Sequence, residues 1–345
     1  MKGVLLVNLG SPDSTKPEDV KNYLDEFLMD PRVIDIPKVF RSLIVRGIIL
    51  NTRPKKSAEA YKKIWWNEGS PLIVLSERFC DKIREKITAP VALAMRYGSM
   101  SIEKGLQSLA DQGVDEVLVI PLYPHFAMST TETVKVKAEE VKKEKFPDMA
   151  LQFLPAFYKE NGYIRVLSKS IKETLQEEEY DHILFSYHGV PESHIKKRDI
   201  TESHCKIDKN CCYTDSIAHE YCYRHQCLAT TELVAKELGL KEGTYSNSFQ
   251  SRLGIDPWLT PFTDKTIKQL GESGVKSLAV VTPAFVSDCL ETLEEIAMEG
   301  KEIFEEAGGQ KFKAIPCLND QEEWVEEVVH WIEHWRIVDV KTAIT

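Results

Sequence analysis

An internal duplication is the feature that most constrains the fold of this chain. Residues 183–191 and 278–292 are apolar runs that end in polar side chains, and residues 4–12 and 117–133 repeat them in the same order. The first match extends into Gly-x-Pro and the second into Glu-Thr. Two matches in one order favour a true duplication over chance resemblance. Such runs are typical of buried parallel strands, so two similar α/β domains are predicted.

Length and repeat together set the predicted domain organisation. The 345 residues exceed the usual size of a single domain. We predict a Rossmann-like domain with a parallel sheet over residues 1–170, a second over residues 171–336 and a tail over residues 337–345, with the domains facing each other across a cleft. Ligands of open α/β sheets bind outside the carboxyl ends of the strands. The polar side chains at those ends are therefore the candidate site.

The two copies differ at the first strand end, where Leu9 stands opposite His188. Only the second copy therefore places an imidazole there, one residue before a glycine that permits close approach of a ligand. Histidine titrates near neutral pH and can accept a proton or bind a metal. The alternative is a histidine that only caps the loop.

The copies also differ in acidic residues, because only the second copy continues with a run of glutamates: Glu291, Glu294, Glu295 and Glu299. On an α-helix, Glu291, Glu295 and Glu299 would form one row, with Asp288 one turn earlier. Like charges stacked in this way repel unless a cation or proton relieves them. The row is a candidate path for protons or hydrated cations, and a solvated helix face is the alternative.

Composition excludes several classes of function. A net charge of −10 argues against a general nucleic-acid binder, which needs a basic face. No run has the length of a membrane-spanning helix, and the N-terminus reads as a strand and not as a secretion signal, so a cytoplasmic location is predicted. Residues 33–50 are apolar and carry Lys38, Arg41 and Arg46. This pattern fits a lid over an apolar ligand, a face resting on a membrane or a buried helix.

Five of the eight cysteines crowd into one polar segment, residues 205–227. Structural disulfides are unexpected in the cytoplasm, but four thiolates can bind a tetrahedral zinc ion or an iron–sulfur cluster. The spacing lacks the paired C-x2-C of zinc knuckles, and it leaves open whether Cys211 or Cys212 is a ligand. A redox-labile surface without metal is the third interpretation.

Several sequence blocks, in family order, make the chain resemble the ferrochelatases from about residue 2 to about residue 336. The blocks are Val-Asn-Leu-Gly-Ser-Pro at 7–12, Gly-Ser-Pro-Leu at 69–72, Met-Arg-Tyr-Gly at 95–98, Tyr-Pro-x4-Ser-Thr-Thr at 123–131, Phe-Ser-Tyr-His-Gly-Val-Pro at 185–191, Phe-Gln-Ser-Arg-x4-Pro-Trp-Leu at 249–259 and Ser-Asp-Cys-Leu-Glu-Thr-Leu-Glu-Glu at 287–295. The resemblance implies a lyase that inserts Fe2+ into protoporphyrin IX, forming protohaem and releasing two protons. It also implies that the porphyrin lies in a cleft between two Rossmann-like domains.

The same resemblance assigns roles to single residues. It implies that His188 is a metal ligand or accepts a pyrrole proton, and that Glu291 is its partner across the site. Glu295 and Asp288 would continue the acidic path for protons or iron. The residues implied to contact the porphyrin are Arg96, Tyr97, Tyr123 and Trp258.

The chain departs from the family pattern in two places. Cys289 stands where some members carry a histidine, which removes a second imidazole near Glu291. Residues 200–227 are similar to the internal insertion that binds a [2Fe–2S] cluster in some bacterial members, and the implied ligands are Cys205, Cys212, Cys222 and Cys227.

Three alternatives to this function stay open. One is insertion of iron into coproporphyrin III, and another is insertion of cobalt into a sirohydrochlorin-type ring. The third is a non-catalytic porphyrin-binding protein that uses the same cleft.

Overall fold

The computed structural model describes residues 1–176, 178–208, 210–252 and 256–342, and of residues 337–342 the backbone alone. The strands of this part of the chain are β1 (Lys2–Asn8), β2 (Val91–Met95), β3 (Glu116–Pro121), β4 (Ala150–Phe153), β5 (His182–His188), β6 (Tyr245–Gln250), β7 (Ser277–Val281) and β8 (Lys311–Ala314).

The helices alternate with these strands. The α-helices are α1 (Pro17–Leu28), α2 (Lys38–Ile44), α3 (Leu50–Ile64), α4 (Pro71–Lys86), α5 (Ile102–Ala110), α6 (Thr133–Lys145), α7 (Asn161–Leu175), α8 (Glu192–Lys197), α9 (Tyr223–Leu238), α10 (Thr263–Glu272), α11 (Lys301–Glu306) and α12 (Glu322–Thr342). Val45–Ile49, Met128–Glu132 and Glu291–Gly300 are π-helical, and Ile217–Glu220 is a 3₁₀-helix.

The strands form two parallel four-stranded sheets, in the orders β2-β1-β3-β4 and β6-β5-β7-β8. The two orders become identical when the second half of the chain is aligned with the first. The register agrees as well, because Val4 lies opposite Leu118 and Ile183 lies opposite Ala279, the positions that the sequence repeat equates. The predicted fold class, two similar α/β domains with parallel sheets, is confirmed.

The two central strands are buried on both faces. Every residue of β1 from Gly3 to Asn8 and of β5 from His182 to Tyr187 is buried. Crossover helices cover both faces of a parallel sheet, so its strands can be apolar throughout. Behind β5 the core consists of Leu184, Ile267, Leu278, Val280, Ile296 and Phe304. This packing fixes β5 and β7, and with them the side chains at their carboxyl ends.

The chain divides into two compact units. The first contains Met1–Leu122, Met128–Pro155 and the segment from Asn319 on, and the second contains Tyr123–Ala127 and Ala156–Leu318. The structure thus places residues 156–170 in the second unit, whereas the sequence-based division assigned them to the first domain. One reason is that Tyr163 of α7 donates a hydrogen bond to the carbonyl oxygen of Pro283, 2.8 Å away.

Helix α12 belongs to the first unit, although the predicted second domain ran to residue 336. Its Trp324 is fully buried and stacks on Phe79 of α4, with ring centroids 5.8 Å apart. The helix continues through residues 337–342 of the predicted tail, and residues 343–345 lie outside the described residues. Across the described chain we find no helix long and apolar enough to span a membrane.

Candidate active site

His188 ends β5, and a backbone contact fixes the orientation of its ring. Its Nδ1 lies 2.6 Å from the carbonyl oxygen of Gly189. A carbonyl oxygen can only accept, so Nδ1 carries the proton and Nε2 of the neutral ring keeps its lone pair. The half-buried ring has Trp258 and Phe285 beside it, with centroids 6.5 and 6.3 Å away. The Nδ1 contact therefore leaves the Nε2 lone pair next to aromatic side chains, and its role as a base or metal ligand stays a prediction.

Gly189 is required by the close approach of the neighbouring strand end. A Cβ at this position would lie 2.9 Å from the carbonyl oxygen of Ser251 and 3.0 Å from that of Gln250. The first distance is shorter than real Cβ atoms show and the second is unusually tight, so a side chain here would force the backbone of the neighbouring strand end to shift. The aligned glycine of the first unit, Gly10, meets the same constraint, because its Cβ would clash with the carbonyl oxygen of Tyr97.

Gln250 connects the two predicted catalytic residues, His188 and Glu291. It pairs with His188 in the β5–β6 register, and its side-chain amide donates to the backbone carbonyl of Glu291 at 3.2 Å. The hydroxyl of Ser186 in turn donates to the amide oxygen of Gln250 at 3.0 Å. His188 and Glu291 therefore lie at the same edge of the second sheet.

The predicted row of glutamates lies on a π-helix, not on an α-helix. Glu291–Gly300, which follows β7, has this form. π-Helices are rare in proteins overall, but those that occur are frequently found at functional sites. Burial, followed by the charges of Glu291 and Glu299, raises the pKa of Glu295 to about 7. The hydroxyl of Ser251, 2.8 Å from the Glu295 carboxylate, opposes this shift. The carboxylates thus act on one another, as the sequence pattern implied.

The first unit also has a π-helical segment, Met128–Glu132, which ends at the position that the sequence repeat equates with Glu291. Glu132 of this segment pairs with Arg32 at 3.2 Å. The shared carboxylate is therefore compensated by a guanidinium in the first unit. In the second unit, Glu295 is surrounded by the charges of other carboxylates.

Asp288 is buried and lies just before the π-helical segment Glu291–Gly300. Its carboxylate accepts from the hydroxyl of Thr292 at 2.8 Å and from the backbone N–H of Cys317 at 3.4 Å. A role in a proton or iron path stays a prediction. Cys289, the position of the departure from the family pattern, is buried, and burial together with the charge of Glu291 raises the pKa of its thiol.

Arg96 and Tyr97 of the first unit converge on Asp30. Arg96 and the Tyr97 hydroxyl both donate to Asp30 Oδ2, the latter at 3.0 Å, and Arg96 also donates to Thr133 at 2.8 Å. Burial alone would raise the pKa of Asp30, but the hydrogen bond from Thr133, the backbone N–H of Arg32 and the charge of Arg96 lower it. Tyr97 is almost fully buried, whereas Tyr123, in the second unit, is half-buried.

The five clustered cysteines are buried free thiols. Hydrogen bonds from Cys205 and Cys212 lower the pKa of Cys222, and the same contacts raise the pKa of the two donors. Arg224 lies 3.5 Å from the sulfur of Cys212. Two of the implied ligands, Cys205 and Cys212, therefore both contact a third, Cys222, and Arg224 lies beside Cys212.

The remaining two thiols have different surroundings. Cys227 is fully buried and interacts with Cys222 and the hydroxyl of Tyr223, whereas Cys211 contacts the carbonyl oxygen of Asp208 at 3.8 Å. In the side-chain conformations described, no group of three or more His, Cys, Asp or Glu residues has the arrangement of a metal site.

The fold and the strand-end residues define a class, the chelatase-like proteins built of two similar parallel α/β units. The chain is similar to the solved structure of SirB from Bacillus subtilis with Fe3+, with a TM-score of 0.53 and 12% identity over 96% of this chain and 94% of that one. It is also similar to the sirohydrochlorin chelatase SirB from Bacillus subtilis subspecies spizizenii in complex with cobalt, with a TM-score of 0.51 and 10% identity over 94% of this chain and 91% of that one. At these identities the likeness concerns the fold alone.

The sequence comparisons resolve the family within this class. The ferrochelatase family model matches residues 1–335. The ferrochelatase of Pseudomonas fluorescens strain Pf0-1 is 49% identical over 94% of this chain and 95% of its own length. That of Ectopseudomonas mendocina is 50% identical over 93% of this chain and 94% of its own length. The chain belongs to the ferrochelatase family, as its motifs predicted, and is a metal chelatase that inserts iron into a porphyrin in haem biosynthesis.

Three residues of the site were not singled out from the sequence: Gln250, Ser251 and Tyr223. Gln250 and Ser251 lie inside the Phe-Gln-Ser-Arg block, so their motif membership was a usable signal. Tyr223 follows Cys222 in the cysteine-rich segment, and nothing in the sequence marks its contact with His188.

Replacing Glu295 with glutamine is expected to stabilise the protein above neutral pH. The folded-state pKa of about 7 exceeds the ordinary value of 4.5. Between these two pH values the folded state binds more protons at Glu295 than the unfolded state does, so the native chain loses stability as the pH rises through this range. Glutamine keeps an acceptor for Ser251 and removes the charge. Urea unfolding should show a gain on the order of 1–2 kcal/mol at pH 8 that disappears below about pH 4.

The matched control is Glu302→Gln, an exposed glutamate on α11, which should leave the unfolding curve unchanged. Equal or lower stability of Glu295→Gln at pH 8 would contradict the assigned electrostatics.

Proposed function

We propose that this ferrochelatase acts on protoporphyrin IX and Fe2+, and that His188 and Glu291 carry the reaction. The observation that carries the proposal is the fixed His188 imidazole, whose Nδ1 is held by Gly189 and whose Nε2 keeps its lone pair. Glu291 lies at the same sheet edge through Gln250. The arrangement combines a base with a second ionisable group, which metal insertion into a macrocycle requires.

The chemistry of insertion assigns a task to each group. Two pyrrole N–H protons must leave, and we assign their acceptance to the Nε2 lone pair of His188. Glu295 has a pKa of about 7 and can take up and release such a proton near neutral pH. Glu291 lies before it on the same π-helical segment, so we assign the acidic path to Glu291 and Glu295, with Asp288 at its start.

The porphyrin contacts form a second part of the proposal. Trp258 and Phe285 beside His188 suit a flat apolar ring, and strain from such remote contacts can bend the ring so that its nitrogen lone pairs reach the metal. Arg96 and Tyr123 are proposed to contact the porphyrin directly. Tyr97 is too buried for this, and we assign it the task of holding Asp30 against Arg96.

The function is tested by anaerobic incubation with Fe2+ and either protoporphyrin IX or coproporphyrin III, followed by haem absorbance. Turnover should be faster with protoporphyrin IX. His188→Ala should reduce kcat by at least about 100-fold, the usual contribution of a positioned general base. His330→Ala, an exposed histidine on α12, is the control and should match the native rate.

Faster turnover with coproporphyrin III would replace the proposed substrate with that porphyrin. Tight porphyrin binding without metal insertion would instead identify a binding protein. Near-native turnover of His188→Ala would remove His188 from the reaction.

We further propose that Cys205, Cys212, Cys222 and Cys227 hold a [2Fe–2S] cluster. Four thiolates are the donor set of such clusters, and Cys205 and Cys212 already contact Cys222, with Arg224 beside Cys212. Cys212 contacts Cys222, whereas Cys211 contacts a backbone carbonyl, which favours Cys212 as the ligand. Rotation of side chains must complete the set, since the described conformations form no metal site. Zinc is the alternative occupant.

The cluster proposal is tested by a matched pair of adjacent substitutions. Protein prepared anaerobically should contain equal amounts of iron and acid-labile sulfide. Cys212→Ser should lose both, and Cys211→Ser should retain both. Iron and sulfide that survive in Cys212→Ser but not in Cys211→Ser would reverse the ligand choice, and stoichiometric zinc without sulfide would replace the cluster.

We also propose a cytoplasmic enzyme that touches the membrane surface through residues 38–48. The cysteines are free thiols, as expected in a reducing compartment. Large apolar side chains are exposed on this segment, namely Val39, Phe40, Leu43 and Ile48. Of the basic residues noted in the sequence, Arg41 is buried and Arg46 pairs with Asp25 at 2.9 Å, so contact would depend mainly on apolar insertion.

Co-sedimentation with phospholipid vesicles tests this surface. Leu43→Glu should reduce the bound fraction several-fold, because it places a charge in the apolar face. Ile217→Glu, which replaces an exposed apolar side chain in the second unit, is the control and should leave binding unchanged. Equal binding of both variants, or none by the native protein, would contradict membrane contact through this segment.

A further inference from the structure

One face of α9 connects the cysteine segment to the end of β5. The helix begins directly after Cys222, and Tyr223, Cys227 and Thr231 recur every four residues along it. The Tyr223 hydroxyl donates to the backbone carbonyl of His188 at 2.8 Å. Two turns further on, Thr231 shares a 2.7 Å hydrogen bond with the hydroxyl of Tyr187. The helix that begins after Cys222 and carries Cys227 thus also contacts the last two residues of β5.

The Tyr223 hydroxyl is well fixed as a donor. The side chain is 5% exposed, and its ring meets that of His125 edge to face at 6.0 Å. Burial raises the pKa of Tyr223 well above its ordinary value, so the hydroxyl keeps its proton. A hydroxyl has one proton to donate, and here it goes to His188.

The bond from Tyr223 completes a clamp on the peptide group between His188 and Gly189. Tyr223 holds the carbonyl of this peptide, and Gln250 accepts from its N–H at 2.6 Å. The next carbonyl along the chain, that of Gly189, binds the imidazole Nδ1. Because glycine restricts the backbone less than any other residue, the orientation of this carbonyl depends on the clamp.

We propose that Tyr223 is a positioning residue for His188. Its hydroxyl holds the carbonyl oxygen of His188 at 2.8 Å and so fixes the neighbouring Gly189 carbonyl that binds the imidazole Nδ1. This inference rests on the proposed role of His188.

The positioning role is tested with Tyr223→Phe, which removes the hydroxyl and keeps the ring. The matched control is Thr231→Val, which removes another buried hydrogen bond from the same face of α9. Tyr223→Phe should lower kcat by about five- to tenfold with little change in KM for the porphyrin, as expected for one lost positioning bond. It should also speed amide exchange at Gly189 several-fold in protein without porphyrin. Thr231→Val should leave both unchanged.

Native kcat and native Gly189 exchange in Tyr223→Phe would overturn the positioning role, as would equal changes in the two variants. The exchange measurement needs no turnover, so it separates a failure of this inference from a failure of the proposed reaction.

Discussion

The site depends on the parallel pairing of β5 with β6 on one side and β7 on the other. This pairing brings three strand ends to one edge, and the chain at each end carries a different chemical group. His188 ends β5, Gln250 ends β6, and Glu291 begins the helix after β7. Close packing of the first two ends excludes a Cβ at residue 189, which makes the glycine of the Ser-Tyr-His-Gly block a steric requirement.

Duplication supplied the framework, and the two copies show what the reaction adds to it. The first unit keeps the strand order and the glycine, and its Glu132 is paired with Arg32. In the second unit, burial and the charges of neighbouring glutamates raise the pKa of Glu295, an electrostatic cost that folding alone does not need. Unfavourable electrostatics at one end of an otherwise regular sheet is a physical sign of function.

The sequence predicted those features of the fold that depend on local apolar patterns or on the internal repeat. Apolar runs with matching ends predicted the two sheets, and the aligned positions proved to be paired in the same register. The π-helical form of the glutamate segment was not predictable, because α- and π-helices place residues four apart on nearly the same face. The return of α12 to the first unit was missed because it depends on the packing of Trp324 against Phe79, far away in sequence.

Tyr223 illustrates the same limit at the site itself. Its position after Cys222 associates it with the cysteine segment, yet its hydroxyl binds the backbone of His188, 35 positions earlier. Every residue has a backbone carbonyl, so the identity of residue 188 does not indicate that its carbonyl accepts a hydrogen bond. Sequence motifs therefore cannot predict this contact. The helix that follows the cysteine segment contacts β5 twice, through the Thr231 bond to Tyr187 and the Tyr223 bond to the carbonyl of His188.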